Sequence, residues 1–353
     1  MKITNLLLKS TGLVSNFSHD KFIRMFPSSI KLAFAYGSGI FAQKNNEDTS
    51  QKMLDFVLVV GDSYKWHKQN LEINNSHYAL MGKLTSVENI HSWLDQSGAG
   101  VHFNTGISIQ DRQVKYGVIS ERRLIDDLTN WKTLYISGRL HKPVHIIKHN
   151  FENSQLLLNA LKSNLESAVA AALLILPDTF SEKDLYMTIA GLSYQGDVRM
   201  GLAEDPKKVS NIVENNIEGF KNLYAPVLRQ FMDPKFKEKN VVVYNQGSRT
   251  FLQDKGPVNN HTLIQLLPNN LMLEMCCQYD KTTKHIRDID EVVKDIARYP
   301  EVDEITNKAL ANIVAQSSTT QTLKNLATVG PLEAVKYGSK KITKMLQSLT
   351  QRS

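Results

Sequence analysis

Ala35-Tyr36-Gly37-Ser38-Gly39-Ile40-Phe41, followed after a polar interval by Met53-Leu54-Asp55-Phe56-Val57-Leu58-Val59-Val60, is the stretch on which the reading of this chain turns. The apolar runs Lys31–Tyr36 and Leu54–Val60 have the length and β-branched or aromatic content of buried strands. Between them a Gly-flanked hydroxyl, Ser38, sits near a carboxylate, Asp55, that opens the second strand. Glycines let backbone N–H groups approach phosphate oxygens, and the turn is expected to open a helix whose N-terminal dipole favours anions. Asp55 in such a place is a candidate Mg²⁺ ligand, and the whole is the arrangement by which a nucleotidyltransferase holds a triphosphate and its metal. A lone G-S-G also occurs in ordinary tight turns, so this stretch by itself leaves both readings open.

With 353 residues, 42% of them hydrophobic, the chain is long enough for two domains with their own cores. A formal charge of +7 points to an anionic partner, whether nucleotide, nucleic acid or acidic lipid. The two cysteines, Cys276 and Cys277, are adjacent, which disfavours mutual pairing and matches no zinc-ligand spacing. The best apolar run, Ala168 to Leu176, ends at Pro177 well short of a membrane span. Residues 1–19 carry Lys2, Lys9 and an apolar set with no acid before Asp20, a pattern compatible with a mitochondrial presequence or with an ordinary N-terminal helix.

Up to about residue 150 short apolar runs alternate with turns. Further strands are expected at Lys115–Ser120 and Val144–Ile147, and helices at Trp66–Glu72, Val87–Leu94 and Arg122–Asn130, an α/β or α+β order. Beyond 150 the pattern turns helical: Ser154–Leu176, a helix from a capping arrangement at Ser181-Glu182-Lys183-Asp184 through Ile189, then Val209–Arg229 and Asp288–Arg298. The Ser-, Thr- and Gln-rich stretch 317–330 reads as a linker. After it, apolar residues on one face and Lys336, Lys340, Lys341, Lys344 and Arg352 largely elsewhere form a basic amphipathic tail. Such a tail suits an anionic membrane surface, or it docks on the protein's own body. The expected division is 1–150, 151–316 and 317–353.

A series of motifs then occurs in order: Tyr36-Gly37-Ser38-Gly39, Met53-Leu54-Asp55-Phe56-Val57, Asn75-Ser76-His77-Tyr78, Lys115–Ser120, Leu134–Leu140, Lys142-Pro143-Val144, Ile189–Tyr194, Gly196-Asp197-Val198-Arg199-Met200 and Tyr337-Gly338-Ser339-Lys340-Lys341. Together they resemble the mitochondrial phosphatidate cytidylyltransferase family, the translocator assembly and maintenance proteins, over residues 30 to 342. The resemblance implies an α/β nucleotidyltransferase-fold domain, a mainly helical winged-helix-like domain and a C-terminal amphipathic helix on the matrix face of the inner membrane. It also implies the reaction of CTP with phosphatidic acid to give CDP-diacylglycerol and pyrophosphate, with Mg²⁺, at a peripheral site rich in anionic inner-membrane lipids and without nucleic acid as partner. An RNA-directed nucleotidyltransferase and a non-catalytic translocase assembly factor are the alternatives. One departure is visible: many nucleotidyltransferases place a second carboxylate two residues after the first, and that position here is Val57, leaving Asp62, Asp126 and Asp127 as the nearest acids in sequence.

Phosphatidic acid is already largely anionic, so no dedicated general base is needed, and the chemical demand is alignment and charge neutralisation. Asp55 for the metal and Lys115 for a phosphate are the expected catalytic pair. Tyr36, Gly37, Ser38, Gly39, Tyr116, Arg139 and Lys142 are the expected nucleotide and phosphate shell, and His77 with Tyr78 is expected to meet the cytosine or its ribose, an ordinary half-buried pair being the alternative. Asp197 and Arg199 bridge an interface or touch the lipid phosphate, and Lys340 and Lys341 face lipid. For each cation the ordinary alternative is a solvated surface charge. His141, His145 and His149 have four-residue spacing, but Pro143 and the strand pattern argue against a metal-binding helix.

Overall fold

Two strands, β1 (Ile30–Tyr36) and β2 (Leu54–Val60), pair antiparallel from Ile30 opposite Val60 to Tyr36 opposite Asp55. Side chains alternate between faces along a strand, and both faces here are covered, which is why the two segments are almost continuously apolar. Leu32, Phe34, Val57 and Val59 enter one buried cluster, while Ala33, Ala35, Phe56 and Leu58 enter another with Phe17, Phe22, Phe26 and Trp66. This is a computed structural model, and it describes residues 17–41, 52–78, 98–197, 207–233, 241–283 and 288–329. The N-terminal presequence or helix, the loop from Lys44, the helix expected at Val87–Leu94, Arg199 and the tail with Lys340 and Lys341 lie outside the described residues.

β3 (Val101–Ile109), β4 (Arg112–Ser120) and β5 (His145–His149) complete a five-stranded mixed sheet of order β3-β4-β2-β1-β5. Only the β2–β4 pair is parallel, with Asp55 opposite Lys115 and Val60 opposite Ser120. The crossover from β2 includes the helix Ser63–Ile73, whose N-cap Asp62 accepts from the Lys65 N–H at 3.0 Å. Ser120 likewise caps the helix Glu121–Asn130. His145 therefore lies on a strand, as Pro143 and the apolar pattern required.

The helical part surrounds Gln155–Ile175, which is buried along most of its length and packs against Glu121–Asn130, Glu182–Gly191, Pro257–Ile264 and Val302–Val329. Its apolar residues join the same cluster as Leu32, Phe34 and Val57, so one core runs from the sheet to Val314. The helix Glu182–Gly191 opens with a capping box between Ser181 and Asp184. A second sheet of order β6-β8-β7 stands beside these helices, from β6 (Thr179–Ser181), β7 (Val242–Asn245) and β8 (Thr250–Gln253).

Two expectations are corrected. The helix read across Val209–Arg229 is two helices, Lys208–Glu214 and Ile217–Phe231, separated at Asn215 and Asn216. The stretch read as a linker from 317 is the continuation of the helix Val302–Val329. Its hydroxyls bond back to their own helix, Thr319 to the Ala315 carbonyl at 2.8 Å and Thr322 to the Ser318 carbonyl at 2.6 Å, so a composition typical of loops is accommodated without exposing unmet polar groups. Gln321 is buried, and its side-chain oxygen accepts from the Ala99 N–H at 3.1 Å, which ties this helix to the start of β3.

Candidate active site

Register places three side chains of the site in one row across three strands: Tyr36 on β1, Asp55 on β2 and Lys115 on β4. All three belong to the sheet face that carries Phe34, Val57 and Ile119, the face toward the helical part. The Lys115 Nζ lies 3.8 Å from the Asp55 Oδ1 and 4.5 Å from the centre of the Phe103 ring. Both charged side chains are about one-fifth exposed (19% and 22%), open enough to meet a ligand and shielded enough for their charges to act strongly.

The turn after β1 explains its glycines. Gly37 has φ +84°, a left-handed conformation, and a Cβ there would stand 3.3 Å from the Asp55 Oδ2. At Gly39 a Cβ would come within 2.5 Å of the Met53 carbonyl oxygen, so the turn closes on the chain entering β2 only without a side chain. Ile40 and Phe41 both donate backbone N–H groups to the Gly37 carbonyl. Residues 37–41 thus form a tight turn, where the sequence reading expected the opening of a helix. Gly37 and Ser38 are exposed at its tip beside the Asp55 carboxylate.

A second group of residues reaches the row from the segment 131–142. The buried Asp127 carboxylate accepts five hydrogen bonds from this loop: from the N–H groups of Thr133, Leu134, Ile136 and Ser137 and from the Thr133 hydroxyl. Its lone pairs are thereby committed to the loop. Asp62 serves as a helix cap and Asp126 accepts from the Asn130 amide, so these three acids carry structural bonds. The anchored loop presents Tyr135 and the short helix Ser137–Leu140. The Arg139 guanidinium then lies 4.0 Å from the Tyr135 ring centre and 5.4 Å from that of Tyr36, and it donates to the Tyr135 carbonyl. Cation–π contacts of this kind hold a guanidinium without neutralising it.

Lys142 is a charged neighbour of Arg139. Its Nζ donates to the Gly138 carbonyl and, at 2.9 Å, to the Ser193 hydroxyl, and it lies 4.9 Å from the Tyr194 ring centre. Lys208 approaches the same ring at 5.2 Å. Burial holds the Lys142 ammonium well below the ordinary lysine range, with repulsion from Arg139 and Lys208 adding to it. Gly138 permits this approach, since a Cβ there would fall 2.3 Å from the Ser193 Cβ. Behind Lys142, His141 is fully buried and pushed down to about 3 by burial and by Lys142. Its ring bonds the Asn164 side chain, which also accepts from the Trp131 indole.

Not every expected residue joins this site. Tyr116 follows Lys115, so it points to the opposite face, where it is wholly buried with Val114 and Val118. There its hydroxyl meets the Asn70 amide at 3.2 Å and the His77 Nδ1 at 3.1 Å, beside Tyr78, which bonds His67 and Asn70. The structure thus brings His77 and Tyr116 together, but across the sheet from Asp55. Asp197 is buried, and its N–H donates to the Tyr194 carbonyl next to Lys142. Tyr135, Ser193, Tyr194 and Lys208 were not singled out from the sequence. The first three lie inside quoted motifs, where an aromatic beside a cation was the available signal.

Among the described residues there is no group of three or more His, Cys, Asp or Glu side chains that could hold a metal ion. The donor set that remains, one accessible carboxylate with space beside its Oδ2 at Gly37, fits Mg²⁺, a hard cation that binds through one or two carboxylates and substrate phosphates.

The sequence from 19 to 344 matches the family described as phosphatidate cytidylyltransferase, mitochondrial. The chain belongs to this family. It is 42% identical over 329 residues to the mitochondrial phosphatidate cytidylyltransferase of Danio rerio, covering 93% of this chain and 94% of the relative. The Xenopus laevis protein of the same name is 40% identical over 345 residues, 97% of each chain. That of Caenorhabditis elegans is 34% identical over 321 residues, 91% of this chain and 95% of the relative. As a phosphatidate cytidylyltransferase family member the chain carries the row Tyr36, Asp55 and Lys115 on a mixed α/β framework, and no helix of its described residues is long and apolar enough to cross a membrane.

Proposed function

We propose that this chain transfers the cytidylyl group of CTP to phosphatidic acid, giving CDP-diacylglycerol and pyrophosphate for mitochondrial cardiolipin synthesis. The observation that carries the reading is the juxtaposition of the Gly37-Ser38 turn with the Asp55–Lys115 pair. A phosphate oxygen of phosphatidic acid attacks the α-phosphorus of CTP, and the bond from that phosphorus to the bridging oxygen of the β-phosphate breaks as pyrophosphate leaves. Both reactants are anionic, so the cost of bringing them together is electrostatic, and fixed cations lower it. Lys115 and Arg139 meet phosphate oxygens, the turn at Gly37-Ser38 offers backbone N–H groups and a hydroxyl, and no side chain is needed as general base.

Mg²⁺, held by Asp55, would neutralise charge on the triphosphate and its leaving group. The five-stranded sheet is read as a nucleotidyltransferase fold, and the helices beside the β6-β8-β7 sheet as winged-helix-like. The protein works as a peripheral enzyme on the matrix side of the inner membrane, its basic tail on anionic lipid. The test is production of CDP-diacylglycerol from CTP, Mg²⁺ and phosphatidate vesicles. Deletion of Pro331–Ser353 should cut sedimentation with anionic vesicles while leaving CTP binding intact, and undiminished sedimentation would remove the tail from the membrane contact.

A further inference from the structure

The cations at Arg139 and Lys142 are not explained by holding a single triphosphate at the Asp55 turn. The charged groups acting on Lys142 are themselves cations, Arg139 and Lys208, while Arg139 is flanked by the tyrosines 36, 135 and 194. The partners of Arg139 and Lys142 are carbonyls, hydroxyls and aromatic rings, with which an anion can share both cations. The donors are also incomplete: Lys142 has three N–H bonds and gives two, to Gly138 and Ser193. The Ser193 hydroxyl accepts from Lys142, which leaves its own hydrogen to donate. The Arg139 Nε is buried without a hydrogen-bond partner among the described residues.

We propose that Lys142, Ser193 and Tyr194, backed by Arg139, form a subsite for a terminal phosphate dianion, supplied by the phosphatidate acceptor, and that this subsite selects a phosphomonoester over a phosphodiester. A monoester presents three terminal oxygens and close to two negative charges, which matches two cations and three open donors. A diester presents two such oxygens and one charge, leaving a cation uncompensated. Position favours the acceptor. Arg139 contacts the ring of Tyr36, which pairs with Asp55, whereas Lys142 makes its contacts with Gly138, Ser193 and Tyr194, so Arg139 joins the two groups of residues. The same chemistry exists on the γ-phosphate of CTP, and the experiment separates the two sources.

The inference rests on the cytidylyltransferase reading for its ligand, but its binding arm needs no turnover. Calorimetry of the full chain with dihexanoyl phosphatidate, without CTP, is compared with dihexanoyl phosphatidylmethanol, the diester. Wild type should bind the monoester about tenfold or more tightly than the diester, and Lys142→Gln should lose most of that preference. In steady-state assays Lys142→Gln should raise KM for phosphatidate about tenfold while KM for CTP stays within about twofold. Ser193→Ala should do the same to a smaller degree, and Lys142→Arg, which keeps the charge, should retain the preference. A rise in KM for CTP with unchanged monoester binding would assign the subsite to the γ-phosphate and overturn the acceptor assignment. Equal binding of monoester and diester by wild type would overturn the selectivity. Should Lys142→Gln fail to fold, Ser193→Ala decides by the same comparison. Wild type that binds the monoester yet makes no CDP-diacylglycerol leaves the subsite standing and removes the activity reading.

Discussion

Asp55 and Lys115 stand directly opposite each other on adjacent parallel strands, their side chains 3.8 Å apart on the sheet face that looks toward the helical part. Both side chains keep contact with solvent, so a charge left without its partner is hydrated and not stranded in the core. Asp55→Ala should therefore leave the melting temperature within a few degrees of wild type. Turnover should fall by about three orders of magnitude or more, the effect of removing several kcal/mol of charge stabilisation at the reacting phosphates. A folded Asp55→Ala variant with near-normal turnover would exclude the carboxylate from the reaction.

Tyr36 has a different role. Its ring centre lies 5.4 Å from the Arg139 guanidinium, which also hydrogen-bonds the Tyr36 hydroxyl, so ring and hydroxyl both hold the cation. Tyr36→Phe should lose about severalfold in kcat/KM and Tyr36→Leu about ten- to hundredfold, measured with both substrates varied. Equal losses in the two variants would shift the role to the hydroxyl.

Asp127 tests the scaffold. Its removal leaves the N–H groups of Thr133, Leu134, Ile136 and Ser137 without their acceptor in a largely buried loop. Asp127→Ala should lower unfolding free energy by on the order of 3–5 kcal/mol in denaturant titrations, and with it the position of Arg139. A variant as stable as wild type would mean that the loop is held by its apolar contacts alone.

The strands around this loop were legible because burial on two faces leaves an unbroken apolar signature, and the helix caps at Ser181 and Asp184 announce themselves by residue type. The Gly37 turn beside Asp55 was legible for the same reason: only glycine takes that backbone and that approach. What the sequence could not convey was which face a strand residue serves. Lys115 and Tyr116 are neighbours in sequence, yet the alternation of β4 sends the first to the Asp55 side and the second into a separate network with Asn70 and His77. Stretch 317–329 misled because serine and threonine composition does not reveal that hydroxyls will bond to their own helix.

His141 makes stability depend on pH. Its folded value of about 3 lies below the ordinary 6.5, so between these values the unfolded chain binds a proton that the folded chain does not. Stability from the neutral, buried ring is full above about pH 6.5 and is lost as pH falls toward 3, at up to about 1.4 kcal/mol per pH unit. His141→Gln should flatten the slope of unfolding free energy against pH over that window, and an unchanged slope would mean that other groups set the acid sensitivity.

Lys142 should register anion binding as proton uptake. Burial, then Arg139 and Lys208, depress its ammonium in the free protein, with Tyr194 as its aromatic neighbour and His141 neutral behind it. A bound phosphate reverses that depression. Above the phosphate's second pKa of roughly 6, binding of dihexanoyl phosphatidate tightens the hold of Lys142 on its proton, so binding should take up protons and weaken as pH rises. Calorimetry in two buffers of different ionisation enthalpy measures this, and Lys142→Arg should abolish the uptake; uptake that persists in this variant would place the proton elsewhere.

The account rests on cytidylyl transfer to a lipid phosphate, and one measurement addresses it most directly. Purified full-length chain is incubated with labelled CTP, Mg²⁺ and phosphatidate vesicles, with Asp55→Ala in parallel and RNA as competing acceptor. The account predicts CDP-diacylglycerol and pyrophosphate in equal amounts from wild type, their loss in Asp55→Ala, and no label on RNA. Label transferred to RNA ends, or wild type that forms no more CDP-diacylglycerol than Asp55→Ala, would contradict it.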